Sequence, residues 1–144
     1  MTVISAVLDL FKDMGIKKIA LVGPYQKETF DLEVKFLEAY GINVIYVNYP
    51  ERELGPIAEY WAHDKEPYDV YKWVLNAANK APDADAIFCS CVMSSILDIC
   101  TQLEEVIQKP VISSQSAAFY GILKFLQIPD AIPAYGQALT RPRQ

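Results

Sequence analysis

The sequence predicts a three-layer α/β sandwich: a four-stranded parallel sheet with helices on both faces. Three observations predict it. Short apolar runs recur at Lys17–Val22, Ile42–Val47, Asp85–Cys89 and Pro110–Ile112. Stripes of apolar residues at helical spacing lie between them. The runs are continuously apolar rather than alternating, the pattern of strands buried on both faces.

The elements follow in order. Val3, Ile4, Val7, Leu8 and Phe11 form one face of a first helix, with Thr2 as its cap and Gly15 as its end. The run KKIALV ends in Gly-Pro, a buried strand with a sharp exit. Phe30, Val34 and Leu37 mark the next helix, which Gly41 closes. INVIYV is a β-branched strand. The stretch from Asn48 to Glu66, with Trp61 and His63, shows no clear period. Tyr71, Val74, Leu75 and Ala78 give a helical face that ends before Pro82. DAIFC is the third strand, and Ile96, Ile99, Leu103 and Val106 place a helix after it. PVI begins the fourth strand, and Ala118, Ile122 and Phe125 mark the last helix. From Gln127 to Gln144 the tail is irregular and carries three prolines.

A first helix followed by four strand–helix repeats suits a doubly wound sheet. Right-handed crossovers bring strand order 2-1-3-4 within reach, as in flavodoxin-like sheets. The 144 residues fit one such domain, 1–144. Ligands of these sheets bind at the carboxyl ends of the strands, near the switch point. That rule selects Gly23-Pro24-Tyr25, Ser90-Cys91-Val92 and Ser113-Ser114-Gln115.

Charge and composition exclude other classes. The net charge is −5 and no Lys/Arg stripe occurs, which argues against nucleic acid as a partner. No apolar run approaches the roughly 20 residues needed to span a bilayer. Three cysteines without a secretory leader argue for a reducing, cytoplasmic compartment rather than a disulfide framework. A Cys-x-Cys pair without a second ligand pair, and one remote histidine, give no zinc site. No G-x-G-x-x-G and no P-loop appears, so no nucleotide cofactor is expected.

Cys91 is the leading candidate for chemistry. It lies between strand DAIFC and the next helix, where unpaired helix N–H groups and a partial positive charge favour a thiolate. Such a thiol serves as nucleophile or as acid and base. The competing reading is a buried structural thiol. Cys89 and Cys100 fall on core positions. Ser113 and Ser114 place hydroxyls at the start of the last helix, where they cap it or bind a carboxylate. Tyr25 offers either a phenolic donor or packing surface. His63 reads as surface or lid, and Trp61 and Trp73 as packing residues. A receiver-type acidic cluster is absent, since Asp83 and Asp85 sit at the wrong end of their strand.

These segments together resemble a known family. GPY with E-x-x-x-x-E-V-x-F-L-E-x-x-G-I-N-V is similar to the T-P-Y segment of the maleate isomerase and arylmalonate decarboxylase branch. ADAIFCSCVMSSILDICTQLEE and KPVISSQSAAFYGILKFLQI resemble that branch's cysteine segment and partner strand. IPAYGQAL resembles its C-terminal end. The branch lies within the aspartate/glutamate/hydantoin racemase superfamily.

The resemblance implies a cofactor-independent isomerase, racemase or decarboxylase acting on small carboxylic acids, built from two similar lobes. Cys91 matches the second-lobe cysteine. Tyr25 and the backbone N–H of Val92 match groups that hold a substrate carboxylate. Gly23 stands where the family usually has Thr, and Val92 where Thr or Gly is common. The match covers only the second half of such an enzyme. A homo-oligomer is therefore expected, with two copies supplying a full site. The alternative is a non-catalytic single-lobe remnant that binds a small carboxylate or self-associates.

Overall fold

A computed structural model describes residues 1–49 and 67–140. The expectations for Trp61 and His63 lie outside the described residues. The elements in chain order are α1 (Val3–Met14), β1 (Lys18–Val22), α2 (Lys27–Ala39), β2 (Asn43–Asn48) and α3 (Pro67–Lys80). Then follow β3 (Ala86–Cys89), α4 (Cys100–Ile107), β4 (Val111–Ser113) and α5 (Ser114–Phe125). Short 3-10 turns occupy Leu97–Ile99, Pro133–Tyr135 and Gln137–Leu139.

The four strands pair in parallel in the order β2-β1-β3-β4, as the sequence predicts. The chain leaves β1 toward one edge and β3 toward the other. The gap between their carboxyl ends is thus the switch point.

The continuously apolar strands divide by the pleat. Ile19, Leu21, Phe88 and Ile112 face a layer built from α1, α2 and α5, with Leu10, Phe11, Phe30, Leu37 and Tyr120. Ala20, Val22, Ile87, Cys89 and Val111 face α3 and α4, with Val74, Ile96 and Leu103. Trp73 packs against this second layer. Phe11 meets Phe88 edge to face, with centroids 5.4 Å apart.

Helix ends follow local chemistry. Thr2 and Ser5 form a reciprocal capping box on α1, and Gly15 ends it at φ 70. Pro67 opens α3, where its missing N–H costs nothing. Asp85 lies at the amino end of β3 and accepts from Lys17 N and Lys18 N at 2.9 and 2.8 Å. It ties two neighbouring strands rather than serving any site.

Two expectations need correction. The helix expected soon after Cys91 starts only at Cys100. Ser94 turns inward, 2 % exposed, and residues 92–99 form turns. Serine side chains compete with helical backbone bonding in this way. The last helix also presents a different face. Ala117, Tyr120 and Gly121 are buried, whereas Ile122 and Phe125 are exposed. Small residues allow α1 to come close: a Cβ at Gly121 would lie 2.9 Å from the Ala6 Cβ.

Residues 128–140 return across the fold. Ala138 and Leu139 are buried in the α1/α5 layer. Glu104, almost fully buried, accepts from Val111 N at 2.9 Å and Gln137 N at 2.8 Å. Among the described residues, no helix is long and apolar enough to cross a membrane.

Candidate functional site

Strand register assembles the site. Asn48, Val22, Cys89 and Ser113 lie side by side across the sheet at its carboxyl edge. The segments after the last three are those selected from the sequence. Gly23 allows β1 and β3 to leave the sheet close together. A Cβ there would stand 2.8 Å from the Ser90 carbonyl oxygen and 3.3 Å from Phe30 Cζ. A Thr side chain does not fit this geometry. Gly23→Ala is expected to displace the Ser90–Cys91 turn and lower stability by about 1–3 kcal/mol, measured by urea unfolding.

Cys91 is recessed, 5 % exposed. It stands on a turn rather than at the N-terminus of α4, so that helix's dipole does not act on it directly. Met93 N donates to Cys91 Sγ at 3.3 Å. Tyr25 is half-buried against Phe30, with ring centroids 5.7 Å apart. Burial, then the neighbouring Cys91 and the hydrogen bond that the phenol donates to it, hold Tyr25 well above the ordinary tyrosine range. Tyr25 therefore stays a proton donor. The N–H of Val92 has no hydrogen-bond partner among the described residues, and its side chain is exposed.

The serines divide. The Ser113 hydroxyl accepts from Ser116 N at 2.9 Å, and Ser116 Oγ accepts from Ser113 N at 2.9 Å. This capping box occupies Ser113 in starting α5. The Ser114 side chain keeps 6 % of its surface exposed, and no hydrogen bond engages its hydroxyl among the described residues.

The other thiols are set apart. Burial pushes Cys89 up to about 12, partly offset by a hydrogen bond from Ser94. Burial likewise pushes Cys100 up to about 12, and its Sγ donates to Val111 O at 3.2 Å.

Sequence reasoning missed Glu33. It sits on α2 beside the Phe30/Leu37 stripe, where a carboxyl breaks an apolar face; that interruption was the available signal. Ser90 Oγ donates to Glu33 Oε1. Burial raises the Glu33 carboxyl, and the Ser90 hydrogen bond partly offsets this. A raised carboxyl binds its proton more tightly in the folded state than in the unfolded one. Its effect on stability is thus most favourable below about 4.5 and declines as pH climbs through the raised value. Glu33→Gln keeps an acceptor for Ser90 and removes the titration. Unfolding free energies at pH 4 to 7 are expected to show the variant gaining on the parent as pH rises.

Comparison with known proteins bears on the fold and the family. The family model described as arylmalonate decarboxylase matches residues 1–139. A maleate isomerase of Geobacillus stearothermophilus is 29% identical over 140 residues, covering 94% of this chain and 52% of that protein. A maleate isomerase of Pseudomonas putida, solved with maleate, superposes with a TM-score of 0.85 at 27% identity, over 97% of this chain and 54% of that one. An arylmalonate decarboxylase structure superposes at 0.80 and 21% identity, over 96% and 58%. The chain thus spans about half the length of the curated relatives it matches. The resemblance read from the GPY, FCSCV and PVISS segments holds along almost the whole sequence, and the chain belongs to the arylmalonate decarboxylase family.

Proposed function

We propose that this chain carries half of a cofactor-independent active site for small carboxylic acids, with Cys91 as the reacting group. The observation that supports the reading most is the Tyr25 phenol against the Cys91 thiol at the switch point. Tyr25 and the free Val92 N–H hold a substrate carboxylate, with the Ser114 hydroxyl beside them. Ser113 supports that position by starting α5.

Two reactions fit this arrangement. In cis–trans isomerisation of maleate, Cys91 adds as its thiolate to one olefinic carbon and leaves again as the thiolate. The displaced electron pair moves into the adjacent carboxylate as an enediolate. The former double bond rotates, the pair returns, and the C–S bond breaks to release fumarate. In decarboxylation or racemisation, the Cys91 thiol instead delivers a proton to the enediolate carbon. The isomerase reading is favoured, because the curated relatives matched across 94% of this chain are maleate isomerases.

A second copy of the chain completes the site. Val92 and Met93 beside Cys91, and Phe119 on α5, are exposed apolar side chains of the kind that a partner surface covers. The chain is expected to sediment as a dimer, and a strict monomer at all concentrations would count against this part of the reading.

The direct test is incubation of the full chain with maleate and with phenylmalonate, following fumarate and phenylacetate by proton NMR. Conversion of neither sinks the proposal. Tyr25→Phe is expected to raise KM for the converted acid about ten- to hundredfold, the loss of one hydrogen bond to a charged group. An unchanged KM would remove Tyr25 from the site.

A further inference from the structure

One face of α2 reaches both segments of the candidate site. Phe30 and Glu33 stand one helical turn apart on that face. Phe30 meets the Tyr25 ring edge to face, with centroids 5.7 Å apart. Glu33 Oε1 accepts from the hydroxyl of Ser90, the residue before Cys91. The charge of Glu33 also acts on the Tyr25 phenol. Tyr25 and Cys91 follow different strands, and α2 contacts the chain at both.

Ser90 is where the turn is held. Its N–H donates to Val22 O at 2.8 Å, its carbonyl lies against Gly23, and its hydroxyl donates to Glu33. The first two contacts act on the backbone and come from β1 and its exit. The third is a side-chain bond from a different layer. A half-buried carboxyl is a costly group to set on an apolar helix face, and this bond is what the position gains. Past Ser90 the chain runs in turns, with the Val92 and Met93 side chains exposed. The orientation of Ser90 therefore decides where the Cys91 sulfur points.

We propose that Glu33 is a positioning residue for the reaction at Cys91: through the Ser90 hydroxyl it fixes the turn that presents the sulfur to Tyr25. The proposal rests on the reading of Cys91 as the reacting group. Glu33 acts through Ser90 and not on the substrate. Alignment of this kind matters because a misplacement of about 1 Å at a reacting atom lowers a rate by up to about a hundredfold.

The test compares Glu33→Leu, Glu33→Gln, Ser90→Ala and the double variant Glu33→Leu/Ser90→Ala in the full chain. Iodoacetamide is the probe, and peptide mass mapping reads alkylation of Cys91 and Cys89 separately. Cys91 is recessed in the parent, and Cys89 is fully buried. Glu33→Leu and Ser90→Ala are each expected to speed Cys91 alkylation about five- to tenfold and to leave Cys89 at the parent rate. The double variant is expected to match the single ones, because both remove one bond. Glu33→Gln keeps an acceptor for Ser90 and is expected to hold Cys91 within about twofold of the parent rate. For the converted acid, Glu33→Leu is expected to lower kcat about tenfold and to change KM less, since the Tyr25 contact remains. An unchanged Cys91 rate overturns the proposal, as does an unchanged kcat. So does a parallel rise at Cys89, which marks general loosening, or a Glu33→Gln variant that behaves like Glu33→Leu. Should Glu33→Leu fail to fold, Ser90→Ala deletes the same bond from the other side. Alkylation needs no turnover, so the two readings fail separately. A parent that converts no acid but shows the expected alkylation pattern sinks the proposed function and supports the placing of the thiol by Glu33.

Discussion

Cys91→Ala is expected to lower kcat/KM for the converted acid by about 10³-fold or more, the scale of losing a reacting acid, base or nucleophile. The comparison that gives this result meaning is with the other two thiols. Cys89 is fully buried in the α3/α4 layer, and Cys100 is bonded to Val111 O. Their alanine variants are expected to lose stability and to retain kcat at the same folded concentration. Cys91→Ala should show the reverse pattern, since its side chain faces the site's Tyr25. Intact-protein mass after rapid acid quench separates the two reactions. Mass gain equal to maleate, absent in Cys91→Ala, marks sulfur addition. Turnover without any adduct marks proton delivery. Turnover unchanged in Cys91→Ala would remove the thiol from the chemistry.

The second large effect is on stability. Phe88 is 1 % exposed at the centre of the sheet and meets Phe11 edge to face. Phe88→Ala removes that ring contact and leaves a void between β3 and α1. The expected loss is about 3–5 kcal/mol, read from urea unfolding. Phe88 is the residue before Cys89, so a void there also loosens the strand that presents Cys91. Activity is therefore expected to fall at temperatures where the variant is still folded. Full activity with full stability would show that the β3 end is held from elsewhere.

The fold was legible because its strands are short apolar runs bounded by Gly, Pro and Ser. KKIALV and DAIFC admit few other readings, and their carboxyl ends converge by register alone. The switch point thus brought Tyr25 and Cys91 together from residues far apart in sequence. The start of α4 was not legible. Ile96 and Ile99 keep helical spacing with Leu103 although the α-helix begins only at Cys100, because Ser94 turns in toward Cys89. The buried face of α5 was hidden for a different reason. Apolar periodicity points to Ile122 and Phe125, but close packing against α1 selects Ala117 and Gly121. Size, not hydrophobicity, decides that contact. Glu33 escaped because a carboxyl on a helix reads as solvated until its partner, Ser90, is brought to it by the third strand.

The narrow gap between Gly23 and the Ser90 carbonyl has a consequence for descent. A lineage carrying Thr at position 23 must seat the turn after β3 further away, and a lineage with glycine can let it collapse inward. Neither change is tolerated readily before the other. The two positions should therefore drift as a pair, and a mutational screen begun from Gly23→Thr should recover second-site revertants clustered at residues 90–92.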